Sequence, residues 1–577
     1  MYVRVKTTPN SPRKSVQIVQ SVRKGGKVSQ KIVRYVGIAM NDDEMEKLKL
    51  LAESIKVKME SEGKELLYSP EDIARLSLDS RKSGSKKDKK EEGIEKAGEK
   101  ASDKASDYEV NLQDLIEEGR VIRGIHEVYG SLFEEMGYDK VLEKPSRNVS
   151  SVEIFKNMVL ARIANPQSKR GSVEMLAQDF GVNLNVDYVY RALDKLDDDA
   201  IERLKKISYE NTKKLYKEKI DVVFFDCTTL YFEAFEEDEL RELGYSKDLK
   251  FNQVQVMMAL MVTSEGLPIG YEVHPGSTYE GHSLIPAVKK IKDRFEIGQV
   301  VFVADAGMMN DSNLTELEKE GLSYIVGAKL KNLPQDLQKE VLNLENYAPL
   351  ALSKESELDA YKVAQFAYKN RKLMVNYSEK RARKDEHERN KAIEKLQLKL
   401  AKKTAPKDYL SNAGYKKFLR VKGEASLELN TDKIEQAKAW DGLCGVLTNV
   451  TTLSTQDIFA RYSGLWQVEQ AFRITKSDLS IRPIFHFKPE RVKAHLAICF
   501  AAYSLVRHLE YRVKLQYIKL SPELIRQTLL RVQTSILFDK KRKIRFAFPS
   551  KVSEHAKKIY HLLKISTLSS PKIIAHL

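Results

Sequence analysis

Apolar residues recur along this chain in different rhythms, and the rhythms divide it. Between Ser454 and Leu479, Ile458, Tyr462, Leu465, Trp466, Glu469, Phe472, Arg473 and Lys476 fall at steps of three and four. That spacing makes one stripe of a helix. Ser454 and Asp457 form a capping-box start, and Gly464 marks a candidate kink. Upstream the apolar runs are unbroken. Asp221-Val-Val-Phe-Phe-Asp226 and Gln299-Val-Val-Phe-Val-Ala-Asp305 each end in an acid and read as buried central strands. Gln253–Thr263 and Leu267–Val273 read as strands around a Glu265-Gly266 turn. A helix begins at Asp311, and Ser323–Gly327 is a fifth strand.

Elsewhere the signals are sparser. Two strands, Ser15–Val22 and Val28–Val36, flank Gly25-Gly26, a hairpin turn signal. Residues 41–78 and 110–215 carry helical periodicity. Within the latter, Ser172–Phe180 and Val186–Leu193 are open to reading as a helix-turn-helix or as two packed helices. Residues 81–107 have no apolar face to bury. Ala360–Tyr368, Lys372–Tyr377, Lys417–Val421, Ser426–Leu429 and Leu443–Leu447 read as strands around a charged helix, Glu379–Lys403. Amphipathic helices follow at Arg491–Val513 and Pro522–Thr534, before a basic stretch at Asp539–Arg545. The expected organisation is a basic β-hairpin (1–40), a helical segment (41–80), a charged linker (81–108) and a helical domain (109–218). An α/β core (219–330 and 451–515) is then interrupted by a β-rich insertion (331–450), and a helical region (516–577) closes the chain.

At 577 residues and 42% apolar composition, several globular units are expected. Lysine and arginine outnumber acids 98 to 82, a net charge of +16, which favours a polyanionic partner, nucleic acid before membrane. Residues 1–40 hold nine cations and no acid, so Arg23, Lys24 and Lys27 are candidate DNA contacts. A solvated sheet edge is the competing reading. Another basic run, Lys380, Arg381, Arg383 and Lys384, is open to the same two readings. Cys227, Cys444 and Cys499 are too scattered for a disulfide frame. No signal-peptide pattern opens the chain, and its longest apolar stretch, His495–Val506, is too short to span a bilayer. A cytoplasmic, nucleoid-associated protein is expected. His274 and His282 read as loop residues, since two histidines make a poor zinc site.

The candidate chemistry lies in three acids. Functional groups of open α/β sheets collect at strand ends, where Asp226 and Asp305 are expected. Glu469 is expected on a buried helix face, where a carboxylate is costly unless a cation or metal meets it. Arg473 one turn on offers the ordinary ion-paired reading. Together the three make a carboxylate set suited to Mg²⁺ or Mn²⁺.

The spacing Tyr462-x2-Leu465-x3-Glu469-x6-Lys476 resembles the Tyr-Arg-Glu-Lys signature of a large group of bacterial insertion-sequence transposases. FFDCTTLYFE, VADAGMMNDSNL, YIVGAKLK and RPIFHFKPERVKAHL are also similar to that group. The chain departs at Leu465, where the signature has arginine; Arg461 and Arg473 are the candidates to replace it. The resemblance implies an Asp226–Asp305–Glu469 triad holding two Mg²⁺ or Mn²⁺ ions, with Tyr462, Arg473 and Lys476 on DNA phosphates. It implies a ribonuclease-H-like core interrupted by a β-rich insertion, an order that the strand pattern of 219–330 also fits. The partners implied are double-stranded DNA (terminal inverted repeats and target) and a second copy, as a homodimer on DNA. The activity implied is cleavage of element ends and joining of 3′ ends to target DNA. A metal-dependent nuclease of the same fold and a catalytically silent DNA-binding descendant are the alternatives.

Overall fold

The structure is a computed structural model that describes residues 2–7, 14–24, 27–39, 110–142, 149–216, 220–233, 236–244, 252–278, 285–290, 301–306, 310–350, 361–400, 418–422, 426–517 and 519–574, with five isolated positions between 45 and 56. It divides into two units, residues 1–108 and 109–577. In the first, β1 (Tyr2–Thr7), β2 (Lys14–Lys24) and β3 (Lys27–Ala39) form an antiparallel sheet in chain order. Alternation along β2 turns Val16 and Ile18 inward, where they pack with Ala52. The β2–β3 ladder closes on the pairs Arg23–Val28 and Lys24–Lys27. The Gly25-Gly26 turn, the side chains of Arg23, Lys24 and Lys27, and the expected linker at 81–107 lie outside the described residues.

The second unit opens with β4 (Leu115–Ile122). Five helices follow: α1 (Gly124–Glu135), α2 (Val149–Ala164), α3 (Lys169–Phe180), α4 (Val186–Leu193) and α5 (Asp198–Tyr216). Next come β5 (Val222–Tyr231), β6 (Gln255–Val262), β7 (Pro268–Pro275), β8 (Val301–Ala304), α6 (Asp311–Lys319), β9 (Ser323–Gly327) and α7 (Gln335–Leu342). Residues 331–450 add β10 (Ala348–Leu350), β11 (Tyr361–Tyr368), β12 (Arg371–Ser378), α8 (Glu379–Leu400), β13 (Leu419–Lys422), β14 (Ser426–Leu429), α9 (Thr431–Lys438) and β15 (Leu443–Thr448). The chain ends through α10 (Thr455–Ser463), α11 (Trp466–Arg473), α12 (Pro489–Gln516), α13 (Pro522–Leu530), β16 (Gln533–Asp539), β17 (Ile544–Pro549), α14 (Glu554–Leu562) and β18 (Lys572–Ile574).

This mixed α/β unit is built on one nine-stranded sheet, ordered β10-β11-β12-β15-β9-β8-β5-β6-β7. β5, β8 and β9 run parallel, and every other pairing is antiparallel. Within 331–450, β10, β11, β12 and β15 therefore continue the sheet begun at 222, while β13 and β14 form a two-stranded sheet of their own. Both sheet faces are covered, which is why its strands read as unbroken apolar runs. Phe224, Val303 and Leu260 face one core, shared with α11 and α12. Val223, Phe225 and Phe302 face the other, shared with Leu314 and Leu317 of α6.

Some expectations are corrected. β4 lies within the stretch expected to be helical, and β16, β17 and β18 lie within the expected helical end. These four strands form a sheet of their own, ordered β18-β17-β16-β4. Leu115-Ile-Glu-Glu-Gly-Arg-Val-Ile has a blurred alternation, since β4 is largely exposed until Val121. Its partner β16 lies some four hundred residues further along the chain, beyond local reading. The expected amphipathic helix at Arg491–Val513 is buried nearly all round from Ala494 to Glu510. His274 lies within β7, paired with Met257, instead of sitting in a loop, while His282 lies outside the described residues.

Candidate active site

β5 and β8 run side by side in parallel, with Phe225 opposite Ala304 as the last pair. Asp226 and Asp305 are the next residue on each strand. Strand alternation puts both on the face of Phe224 and Val303, the face against which α11 packs. Asp305 is exposed just past the end of β8, as expected. Asp226 is not at a strand end. β5 continues to Tyr231 along β6, because Cys227-Thr-Thr-Leu-Tyr keeps the β-branched and aromatic content of a buried strand. What stops at Asp226 is the pairing with β8 alone. Each aspartate accepts a hydrogen bond from the next backbone N–H, from Cys227 at 2.7 Å and from Ala306 at 2.6 Å.

The helix expected over 454–479 starts as its caps dictate: the Ser454 hydroxyl accepts from the Asp457 N–H at 3.1 Å and donates to its carboxylate at 2.6 Å. It is then broken into α10, α11 and a π-helical turn, Ile474–Asp478. Gly464 stands at the break, and a Cβ there would lie 2.6 Å from the Phe224 ring, so glycine lets the helix approach β5. The buried residues of α11 are Val468, Ala471 and Phe472. Glu469 and Arg473 are exposed, which corrects the expected buried acid; the core-facing stripe is one residue out of phase with the one read through Glu469. Glu469 and Arg473 form no ion pair, so the carboxylate is not committed to that partner. Arg461, one candidate for the arginine missing at Leu465, is held by Asp221 at 2.6 Å.

Tyr462 comes nearest to joining the acids. A Cβ on Gly327 would lie 2.5 Å from its hydroxyl. Burial pushes that hydroxyl's pKa up, and the charges of Cys444, Asp305 and Glu469 add to the rise against the opposing Arg381. Arg473 bears on Asp478 and lines a separate cleft with Glu510 and Glu523; Lys476 sits on the π-helical turn. Tyr462 thus lies within electrostatic reach of Asp305 and of Glu469, but the acids are not drawn into a cage. Among the described residues, no three His, Cys, Asp or Glu side chains stand close enough to hold a metal ion.

Sequence reading missed part of the site. A cleft of about 550 Å³ opens beside Asp305 and Tyr462, and α8 supplies Arg381, Asp385 and Arg389 to its wall. Arg381 belongs to the basic run noted above, whereas Arg383 and Lys384 are exposed and pair with Glu379 and Glu388. The signal available was the lone apolar seam of α8, Ile393 and Leu396, which sets which face turns inward.

The model of the family "Transposase DDE domain" matches residues 217–505, half of the chain. The chain belongs to that family: it is a DDE transposase, an enzyme of DNA cleavage and strand transfer. Residues 3–65 match the model "IS1634 family transposase, N-terminal domain", which places it among the transposases of bacterial insertion sequences. No curated protein matches the chain. Similar solved structures include the piggyBac transposase synaptic complex with hairpin DNA, at 10% identity and a TM-score of 0.36, covering 70% of this chain and 76% of that one. The Mos1 transposase paired-end complex with left transposon end shows 14% identity and a TM-score of 0.14, covering 49% and 77%. Likeness this low leaves the assignment resting on the family models.

Proposed function

We propose that Asp226, Asp305 and Glu469 are the catalytic acids with which this transposase cleaves the ends of its element and joins the 3′ ends to target DNA. The observation that carries this is the register: Asp226 and Asp305 are adjacent on parallel strands, one step past their last pair, on the face packed by the helix of Glu469. The order β7-β6-β5-β8-β9, three antiparallel strands followed by two parallel ones, supports a ribonuclease-H-like core extended by a β-rich insertion.

Three carboxylates are hard oxygen donors and fit Mg²⁺ or Mn²⁺ in chemistry, with two ions expected. As placed they do not converge, so the reading requires them to be drawn together when DNA binds. Bound divalent ions would supply a nucleophile at neutral pH and charge relief for the leaving oxygen. Asp226 and Asp305 each accept one backbone hydrogen bond, and Asp305 does so through a single oxygen, leaving the other for a ligand. Tyr462, with its raised pKa, stays a neutral phenol that can donate to a phosphate oxygen. Arg473 and Lys476 give positive charge for the DNA backbone along the same helix, and Arg23, Lys24 and Lys27 do so in the first unit. The substrates would be terminal inverted repeats and target DNA, bound by a homodimer in the nucleoid. Mg²⁺-dependent cleavage and strand transfer with DNA carrying the element's ends tests this. Activity that survives Asp305→Asn would overturn it.

A further inference from the structure

A cluster of buried basic side chains, two cations and two histidines that burial keeps neutral, stands outside the chemistry above. Lys169 opens α3, Arg162 comes from α2, His495 from α12, and His486 from the segment between the π-helical turn and α12. All four are more than nine-tenths buried. Lys169 Nζ donates to His495 Nδ1 at 3.1 Å, and His495 Nε2 donates to the Ile481 carbonyl at 3.1 Å. Arg162 reaches the carbonyls of Ser480 and Gln167, both at 3.2 Å. Among the described residues, no carboxylate pairs with Lys169 or Arg162. Asp194, which bears on His486, is held by Arg491 at 2.6 and 2.8 Å. His486 packs against the rings of Tyr190 and His495, yet among the described residues neither of its ring nitrogens has a hydrogen-bond partner.

These side chains line a cavity of about 60 Å³, several times the ~10–15 Å³ that one water needs. Ser168 caps α3 there, accepting from the Gly171 N–H at 3.1 Å, and Ser168, Lys169 and Arg170 line the cavity, so the positive end of the helix lies at it. Phe485 stands at the cavity, 61% exposed, and Phe487 two residues on is 72% exposed. Buried positive charge without an anion is costly, and burial, then Arg162, brings the Lys169 ammonium down to about 7. A bound anion would remove that cost.

We propose that this cavity is a phosphate site, in which Lys169, Arg162, His486 and the start of α3 hold one phosphate group of a DNA strand whose neighbouring base rests on Phe485. The size suits a single tetrahedral oxyanion and not a base, and an exposed aromatic beside a phosphate cradle is the pairing that holds single strands. The assignment of DNA as occupant rests on the function proposed above. The cradle itself does not.

The experiment uses the full chain with inorganic phosphate and, separately, with DNA. Phosphate should raise the melting temperature of the wild type by a few degrees and that of Lys169→Met or His486→Phe by far less. Without phosphate, His486→Phe should melt near wild type, since it removes no hydrogen bond and keeps the packing, whereas Lys169→Met takes the donor from His495 Nδ1 and should melt slightly earlier. On DNA, Lys169→Met should make the salt slope of binding shallower by about one. Lost phosphate stabilisation with an unchanged DNA slope would make free phosphate the occupant and overturn the DNA assignment. No phosphate effect on the wild type, with early melting of both variants, would show a purely structural cluster and overturn the site. Neither readout involves cleavage, so failure of the acid triad would appear separately.

Discussion

Asp226 and Asp305 are set by a sheet, Glu469 by a fragment of helix. β5 is paired on both sides up to Phe225 and buried on both faces, so the positions of its side chains are dictated by two ladders and two cores. α11 has eight residues, with a break at Gly464 before it and a π-helical turn after it. Its acid is exposed and not ion-paired to Arg473. The contrast teaches that one half of the candidate triad is preorganised and the other half is adjustable, which suits a site that must close around a large substrate.

The sharpest way to break this comparison is at the sheet. Asp305→Asn, or Asp226→Asn, should lower cleavage by several orders of magnitude while DNA binding and melting temperature stay near wild type. Equal loss of folding and cleavage would make the aspartates structural. Glu469→Gln should lower Mg²⁺-dependent cleavage to a similar depth. Because Glu469 is exposed and not paired with Arg473, its melting temperature should hardly move; early melting would mean that the helix is fixed by a partner after all.

The rigid half has its own anchor. Lys205 of α5 and Glu272 of β7 are both buried, 3.1 Å apart, with Lys290 at 2.8 Å on the other carboxylate oxygen. Glu272→Gln leaves Lys205 only its half-exposed partner Glu202, at 3.0 Å, and should cost about 1–3 kcal/mol in chemical denaturation, less than the loss of a buried cation's sole partner. Burial alone would raise the Glu272 pKa, but Lys205 and Lys290 outweigh it and bring it down from 4.5 to about 2. The folded pKa is the lower one, so the pair's stabilisation is present above pH 4.5 and fades as pH falls towards 2. A wild-type acid titration should lose stability in that window, and the Gln variant should be flatter across it.

Smaller effects belong to the adjustable half. Gly464→Ala forces a Cβ to within 2.6 Å of Phe224 and should cost about 1–3 kcal/mol, with cleavage falling further than stability if the break positions Glu469. Replacing Arg23, Lys24 and Lys27 together with alanine should make the salt slope of DNA binding shallower by roughly 2–3. An unchanged slope would mean that this strand end meets something other than DNA.

The strands of the sheet were legible because burial on both faces leaves long apolar runs such as Val222–Phe225 and Val301–Ala304. Their acids stood out for the same reason. What was not legible depends on partners distant in sequence. The continuation of β5 past Asp226 follows from β6, and the β4–β16 pairing joins residues near 118 to residues near 536. The exposure of Glu469 escaped a stripe argument because Gly464 and the π-helical turn reset the helical phase on either side of α11. Arg381 looked like any solvated cation until α8 was seen beside Asp305.

One consequence of the nine-stranded sheet concerns how such a protein can be altered. Residues 331–450 look like a cassette, a module that could be cut out or exchanged between relatives. Yet β15 is hydrogen-bonded to β9 through Val446–Gly327, Leu447–Val326 and Thr448–Ile325. Excision would strip the outer edge of a core strand whose residues from Tyr324 to Gly327 are buried. The remnant would present a bare, apolar template for other chains, the usual route to aggregation. A truncated enzyme should therefore precipitate instead of surviving as a minimal nuclease, unless β15 is retained as a grafted strand.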